Sequence, residues 1–312
     1  MRWTLALVCL LVVAVCPVSA SGGGEAEAGR TQLGITGDPA RFARLTGQRS
    51  TIRHNFVGWH QGNALPQILG NLRPIPMIAI KTGGAITPAA IASGRGDAFL
   101  VQLNRAVADF GGLVYVRPLP EMNGHWNDYC AYSRDGSARG PQHSTAAFKK
   151  AFRRIAIFAR GGTAAKVNQK LRKAGVPGAA SLDLTATKAR IVWNPQGYGS
   201  PDVRGNSAQA YYPGDGYVDV VANDLYDQGF NAAWDANEAL YAAHRNKPYA
   251  LAEWGLWGID DPAFVERMAA FVKSHRVEFL AYFNSKPGAI WDLGSKPRSR
   301  AAYRRLITPL GR

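Results

Sequence analysis

Two glutamates sit where chemistry would need them. Glu121 lies in Arg117-Pro118-Leu119-Pro120-Glu121-Met122-Asn123-Gly124-His125-Trp126, and Glu253 in Lys247-Pro248-Tyr249-Ala250-Leu251-Ala252-Glu253-Trp254-Gly255. Each follows a short apolar run that reads as a strand. If both carboxyls face one cavity, burial and like-charge repulsion push their pKa values apart. One then stays protonated as an acid while the other stays anionic, the division of labour that cleavage of a glycosidic bond requires. The competing reading is a pair of structural carboxylates salt-bridged to Arg117.

Tryptophan placement adds a second signal. Trp59, Trp126, Trp193, Trp254, Trp257 and Trp291 all fall at or just past the expected ends of strands. An indole face suits the C–H face of a sugar ring, and its N–H supplies a polar handle. Core packing is the ordinary alternative for any one of them.

What positions these residues is a recurring strand pattern. Runs rich in β-branched and aromatic residues occupy Gln32–Ile35, Thr51–Val57, Ile75–Ile80, Leu113–Pro118, Arg190–Asn194, Val218–Asn223, Pro248–Glu253 and Glu278–Phe283. Helix-compatible stretches lie between them, including Ala98–Phe110, Thr145–Ala159, Ala232–Arg245, Pro262–His275 and Ser299–Ile307. Asp97, Ser144 and Asp261 stand where helix caps belong, with Pro262 in a first turn. Strand–helix alternation predicts a parallel sheet, and eight strands in this length favour an α/β fold of the (β/α)8 TIM-barrel type, a single catalytic domain over residues 31–312. No Gly-x-Gly-x-x-Gly follows a strand, which removes the best support for a dinucleotide fold. Active sites of such barrels form at the carboxyl ends of the strands. Those positions hold Trp59, His60, Glu121, Trp193, Asn194, Asp224, Tyr226, Glu253, Trp254 and Asn284.

At this point the residues resemble glycoside hydrolase family 26, the β-mannanase family of retaining clan A barrels. The Arg-x-x-x-Glu-Met-Asn-Gly-x-Trp block at Arg117–Trp126 looks like the family's acid/base motif. Tyr212-Pro-Gly-Asp215, followed by Tyr217-Val-Asp219 and Asp224-Leu-Tyr226, is similar to its sixth-strand signature. Lys247-Pro248 with Ala252-Glu253-Trp254-Gly255 resembles the nucleophile strand, and Phe56-Val57-Gly58-Trp59 and Ile75-Pro76-Met77 match weaker early features. The resemblance implies a (β/α)8 endo-β-glycosidase working by double displacement without metal or other cofactor, most readily on β-1,4-mannan. It implies Glu121 as acid/base, Glu253 as nucleophile with its carboxyl ~5–5.5 Å away, Tyr226 as a hydrogen-bond partner of the nucleophile, and Trp126 as part of a sugar platform. With these, Trp59, His60, Arg117, Asn123, Trp193, Asp224, Trp254 and Trp291 complete the candidate substrate-binding set. The chain departs from the family in three places. Pro120 replaces the usual His before the acid/base, Asn-Asp-Tyr-Cys follows Trp126, and an additional stretch occupies Gly161–Lys188. Substrates alternative to mannan are a β-glucan or an anionic exopolysaccharide; a non-catalytic glycan-binding barrel would need neither glutamate.

The remaining signals concern location and partners. Met1–Ala20 reads as a secretory signal, with Arg2, an apolar run from Leu5 to Val15, and Val18-Ser19-Ala20 as the cleavage site, so a secreted or periplasmic product is expected. Ser21–Arg30 reads as a flexible leader, and no later stretch is long and apolar enough to predict a membrane span. Cys9 and Cys16 would leave with the signal. That leaves Cys130 as a buried free thiol, with lipidation at Cys16 disfavoured by Val15. The six histidines form no metal-ligand pattern. The chain of 312 residues carries a formal charge of +15, and Lys149–Arg190 alone holds eleven Lys/Arg against one acid, Asp183. That segment reads as a solvated basic face or as a surface for an anionic polymer. Nucleic acid fits poorly with export and with the lack of a binding motif. A monomer is expected.

Overall fold

In the computed structural model, residues 31–179, 184–229 and 232–311 are described. The signal and leader readings over residues 1–30, and Asp183, lie outside them. Eight parallel strands close into a barrel in chain order: β1 Gln32–Gly37, β2 Ile52–Gly58, β3 Ile75–Lys81, β4 Val114–Pro118, β5 Ala189–Trp193, β6 Val220–Asp227, β7 Tyr249–Leu256 and β8 Val277–Ser285. The helices are α1 Pro39–Thr46, α2 Leu65–Asn71, α3 Pro88–Ala92, α4 Asp97–Phe110, α5 Thr145–Arg160, α6 Ala164–Lys173, α7 Trp234–Ala243, α8 Pro262–Ser274 and α9 Pro297–Leu306. The (β/α)8 expectation holds, and each expected strand is found within a few residues. No helix among the described residues is long and apolar enough to cross a membrane.

Helix ends follow the chemistry of their caps. Ser144 Oγ accepts from the Ala147 N–H, and Asp261 accepts from Ala263 with Pro262 in the first turn. Asp97 is different. It is the first residue of α4 and gives no side-chain cap; its carboxylate instead takes both arms of the buried Arg154 guanidinium. The extra stretch after α5 builds α6, whose Val167 and Leu171 are buried against the body.

The barrel interior is divided by height. Its lower layers are apolar, formed by Ile52, Met77, Tyr115, Val192, Val220, Ala222, Ala250, Ala252, Phe279 and Ala281. These are the inward positions of alternating strands. The outward positions (Val116, Ile191, Trp193, Val221, Leu225, Leu251 and Trp254 among them) join the larger core between strands and helices. Above the apolar layers the inward side chains turn polar, and that is where the candidate site begins.

Candidate active site

Strand alternation carries Arg117 inward from Tyr115, His54 from Ile52, and Asp224 from Ala222. Glu253 needs more. Ala250 and Ala252 both face inward, so strict alternation would send Glu253 out into the helix layer. A β-bulge prevents this. Asn223 pairs with Leu251 and Asp224 with Glu253, so Ala252 is the extra residue opposite β6. On the other side, Leu251 pairs with Leu280 and Trp254 with Tyr282, the same one-residue excess. The bulge turns two successive β7 side chains inward and returns Trp254 to the outer core.

Arg117 is the hub of what results. It is fully buried and its guanidinium donates from Nη1 to Glu253 Oε1 at 2.8 Å and from Nη2 to Asp224 Oδ2 at 2.9 Å. Glu253 Oε2 accepts from the Tyr226 hydroxyl at 2.8 Å. Below, His54 Nε2 lies 3.1 Å from Arg117 Nη1, and Nδ1 lies 2.7 Å from Thr36 Oγ1. Burial and the adjacent guanidinium hold the His54 imidazole well below its usual pKa, so it is neutral. A neutral ring beside an Arg donor must accept at Nε2, which places its proton on Nδ1 toward Thr36.

One cation thus serves two buried carboxylates. Burial raises both, Arg117 opposes the rise, and the charge of Glu121 adds to it; Asp224 is raised well above the carboxylate range. Glu253, also raised, has the further hydrogen bond from Tyr226 favouring its anion, so Glu253 is the more readily ionised of the two. The carboxylates in turn hold Arg117 above its ordinary value despite burial, while burial and Glu253 keep the Tyr226 phenol protonated.

Glu121 approaches the same mouth from a distorted segment after β4. Leu119 and Glu121 have φ of 50° and 53°, left-handed conformations that cost ~1–2 kcal/mol each for such residues. The surroundings hold them there. The Glu121 N–H donates to Asn194 O at 2.7 Å and the Leu119 N–H to Ile80 O at 2.9 Å. Asn127 Nδ2 donates to Glu121 O at 2.9 Å and the Tyr129 hydroxyl to Pro120 O at 2.7 Å. The Asn-Asp-Tyr-Cys departure therefore supplies two of the ties on this loop. The Glu121 carboxylate itself accepts from Trp126 Nε1 at 3.0 Å and, through its other oxygen, from Gln196 Nε2.

Aromatic side chains line the rim. Trp126 is 50% exposed beside Glu121 and Trp257 43% exposed near Tyr226. Phe56, Phe283, Trp291 and Trp257 follow one another edge to face, with centroids 6.3, 5.1 and 5.2 Å apart. Of the sequence candidates, Glu121, Glu253, Arg117, Asp224, Tyr226, Trp126 and Trp291 are brought to this end. Others are not on its surface. Trp193 and Trp254 are fully buried on the outer side of their strands, Trp193 against Tyr212 and His244, Trp254 stacked on Tyr303. Each neighbours an inward residue: alternation on β5 turns Trp193 away from the mouth beside Asn194, and the β7 bulge turns Trp254 away beside Glu253. Trp59 is half-buried and stacks on Phe99 of α4 at 4.4 Å, whereas His60 is exposed on the short helical turn after β2. Asn123 is buried, donating to Gln196 O and Tyr198 O and accepting from the Gln196 N–H; it shapes the loop after β5 and has no surface for a sugar. Asn284 is buried and accepts from Leu293 N. His54, Thr36 and Gln196 were missing from the sequence reading. His54 was findable: it lies two residues before Phe56 on the inward face of β2. Cys130 is buried and free, as expected.

The model for glycosyl hydrolase family 26 matches residues 191–287, a span from β5 to just past β8 that includes Asp224, Tyr226 and Glu253. Over that span the chain is similar to glycosyl hydrolase family 26. A curated relative is Endoglucanase H of Acetivibrio thermocellus, 24% identical over 291 residues; the match covers 85% of this chain and 28% of that protein. The chain thus spans under a third of the relative's length. Among solved structures, the mannanase of Bacillus subtilis superposes with a TM-score of 0.57 at 18% identity, covering 89% of this chain and 85% of the other. The family 26 β-mannanase of Bacteroides ovatus gives 0.54 at 16%, covering 90% and 89%. At these identities the structural likeness speaks for the barrel fold alone.

Proposed function

We propose that this chain is a family 26 enzyme, an exported, retaining endo-β-glycosidase that hydrolyses β-1,4-mannan with Glu253 as nucleophile and Glu121 as acid/base. The observation that carries the reading is Glu253 clamped by Arg117 and Tyr226 inside the barrel, with the Glu121 carboxylate held by Trp126 on the loop after β4 at the same end. In the first step Glu253 attacks the anomeric carbon as a carboxylate while Glu121 gives its proton to the departing oxygen, leaving a glycosyl ester on Glu253. In the second, Glu121 takes a proton from water as the water attacks the same carbon, and Glu253 leaves as the carboxylate. Arg117 and the Tyr226 hydroxyl stabilise Glu253 whenever it is anionic, at the start and as it departs. The names of the solved neighbours favour mannan. The name of the curated relative keeps a β-glucan as the second reading.

The test is a panel of mannan, β-glucan and xylan digested with the purified chain, with the first product followed by NMR. Internal cleavage of mannan giving the β-anomer first is expected. The α-anomer first would mean inversion, cleavage of glucan alone would move the substrate, and no cleavage of any β-glycan would leave a binding barrel.

The basic segment is smaller than its sequence suggested. Arg154 is committed to Asp97, Arg160 to Asp219, Arg190 to Glu278, and Arg153 to the Pro213 carbonyl and the Tyr217 ring. Lys150, Lys166, Lys170, Arg172, Lys173 and Lys188 remain exposed. We propose that this face adds an attraction for anionic polysaccharide. Polygalacturonate should bind the wild type several-fold more weakly at 200 mM salt than at 50 mM, as the Debye length falls from about 14 Å to about 7 Å. Binding unaffected by salt or by Lys166→Glu/Lys170→Glu/Lys173→Glu would return the face to plain solvation.

A further inference from the structure

We infer that Gln196, on the loop after β5, is a positioning residue for Glu121: it fixes the carboxyl that must hand its proton to the departing oxygen. The inference rests on the acid/base role proposed above and adds a residue to it. Glu121 is half-buried at the open end of the barrel, where a three-bond side chain would otherwise sample several rotamers. Each of its oxygens has one donor. Trp126 holds Oε2, but that indole is itself half-exposed at the rim and lies where a sugar ring would press on it. Gln196 holds Oε1 from the inner side.

Gln196 is suited to this because its own backbone is fixed from below. Its N–H donates to Asn123 Oδ1 at 2.8 Å and its carbonyl accepts from Asn123 Nδ2 at 2.9 Å, a two-point clamp by a fully buried amide. The Asn123 carbonyl is in turn held by Asn206 Nδ2 at 2.9 Å. The chain of contacts runs Asn206, Asn123, Gln196, Glu121, and it ends on the atom pair that transfers the proton. A side-chain amide also suits a group that alternates between carboxyl and carboxylate. Its N–H serves the anion, and rotation of the amide offers an oxygen to the protonated form, which an indole cannot do.

A residue that only supports the loop would affect all substrates alike. A residue that aims the acid should matter in proportion to how much the leaving group needs a proton. We therefore expect Gln196→Met, which keeps length and packing but has no donor, to lower kcat on a β-mannan oligosaccharide by about 10- to 100-fold, a part of the ~10²–10⁴ that general acid catalysis supplies. On a dinitrophenyl β-mannoside, whose leaving group needs no proton, glycosylation should change by less than about threefold, with KM unaltered. Gln196→Ala should show the same contrast, so that loss of packing and loss of the donor can be told apart. Equal losses on both substrates, or no loss on either, would overturn the inference. A wild-type chain inactive on both would instead remove the hydrolase reading, and this assignment with it.

Discussion

Glu253→Ala is expected to abolish turnover of every glycoside, however good its leaving group, because it removes the carboxylate proposed to attack the anomeric carbon. Glu121→Ala should fail differently. An activated aryl glycoside needs no protonation, so it should still glycosylate Glu253, and the enzyme should then stall as the covalent intermediate because water lacks its general base. Azide needs no base. It should release the stalled Glu121→Ala enzyme as a β-glycosyl azide, and in Glu253→Ala it should attack from the vacated face to give the α product. Losses of about 10⁴-fold or more on unactivated substrates are expected for both variants, the upper end of what such groups contribute. Interchanged azide stereochemistry would reverse the two roles. Wild-type rates in both variants would end the hydrolase reading.

The second large effect belongs to Arg117. Arg117→Met would leave Asp224 and Glu253 buried side by side with no cation between them, and removing one partner from such a cluster costs ~3–5 kcal/mol. The deficit should shrink as pH falls, since protonating the carboxyls relieves the unpaired charge. Activity should respond with a defined sign. The proposed attack needs ionised Glu253, whose pKa already lies above the ordinary value. Losing the guanidinium raises it further, so the acid limb of the kcat/KM profile should move to higher pH. Tyr226→Phe removes one hydrogen bond to the same carboxylate and should move the limb in the same direction by less, with the fold intact. Chemical denaturation and a pH–rate profile check both. An Arg117→Met protein of unchanged stability and profile would show that the hub does not govern Glu253.

The barrel was legible because its evidence is local: eight apolar runs, helix caps at Ser144 and Asp261, and turn chemistry between them. The motif residues were legible for a similar reason, since Glu121 and Glu253 each end such a run. What escaped was whatever depends on which side of a strand a residue faces. Trp193 and Trp254 stand at strand ends, as a sugar platform would, yet period two on β5 and the bulge in β7 assign them to the outer core beside their inward neighbours Asn194 and Glu253. His54 escaped although alternation from Ile52 faces it inward, because its partners Thr36 and Arg117 are eighteen and sixty-three residues away. Gln196 and Asn123 meet through a loop contact that no spacing rule anticipates. The basic segment misled in the opposite direction, since local counting could not see that Asp97, Asp219 and Glu278 come from elsewhere in the chain to meet it.

The extra residue in β7 makes this strand asymmetric toward changes of length. Upstream of Ala252 the strand's phase is set by its neighbours' lower layers, and downstream by the pairing of Trp254 with Tyr282. Ala250 faces inward and Leu251 outward, so a one-codon deletion at Ala252 would turn the bulge into a regular ladder, with Glu253 still inward and Trp254 still outward. An added residue has no such outlet. Absorbed into the ladder, a second surplus residue would turn the carboxylate toward the apolar packing around Tyr303 and the indole toward Arg117. A substitution at Glu253 removes chemistry from an otherwise sound barrel. An insertion beside it would take the chemistry and the core in a single event, while a deletion at the bulge should leave the two faces of β7 as they are.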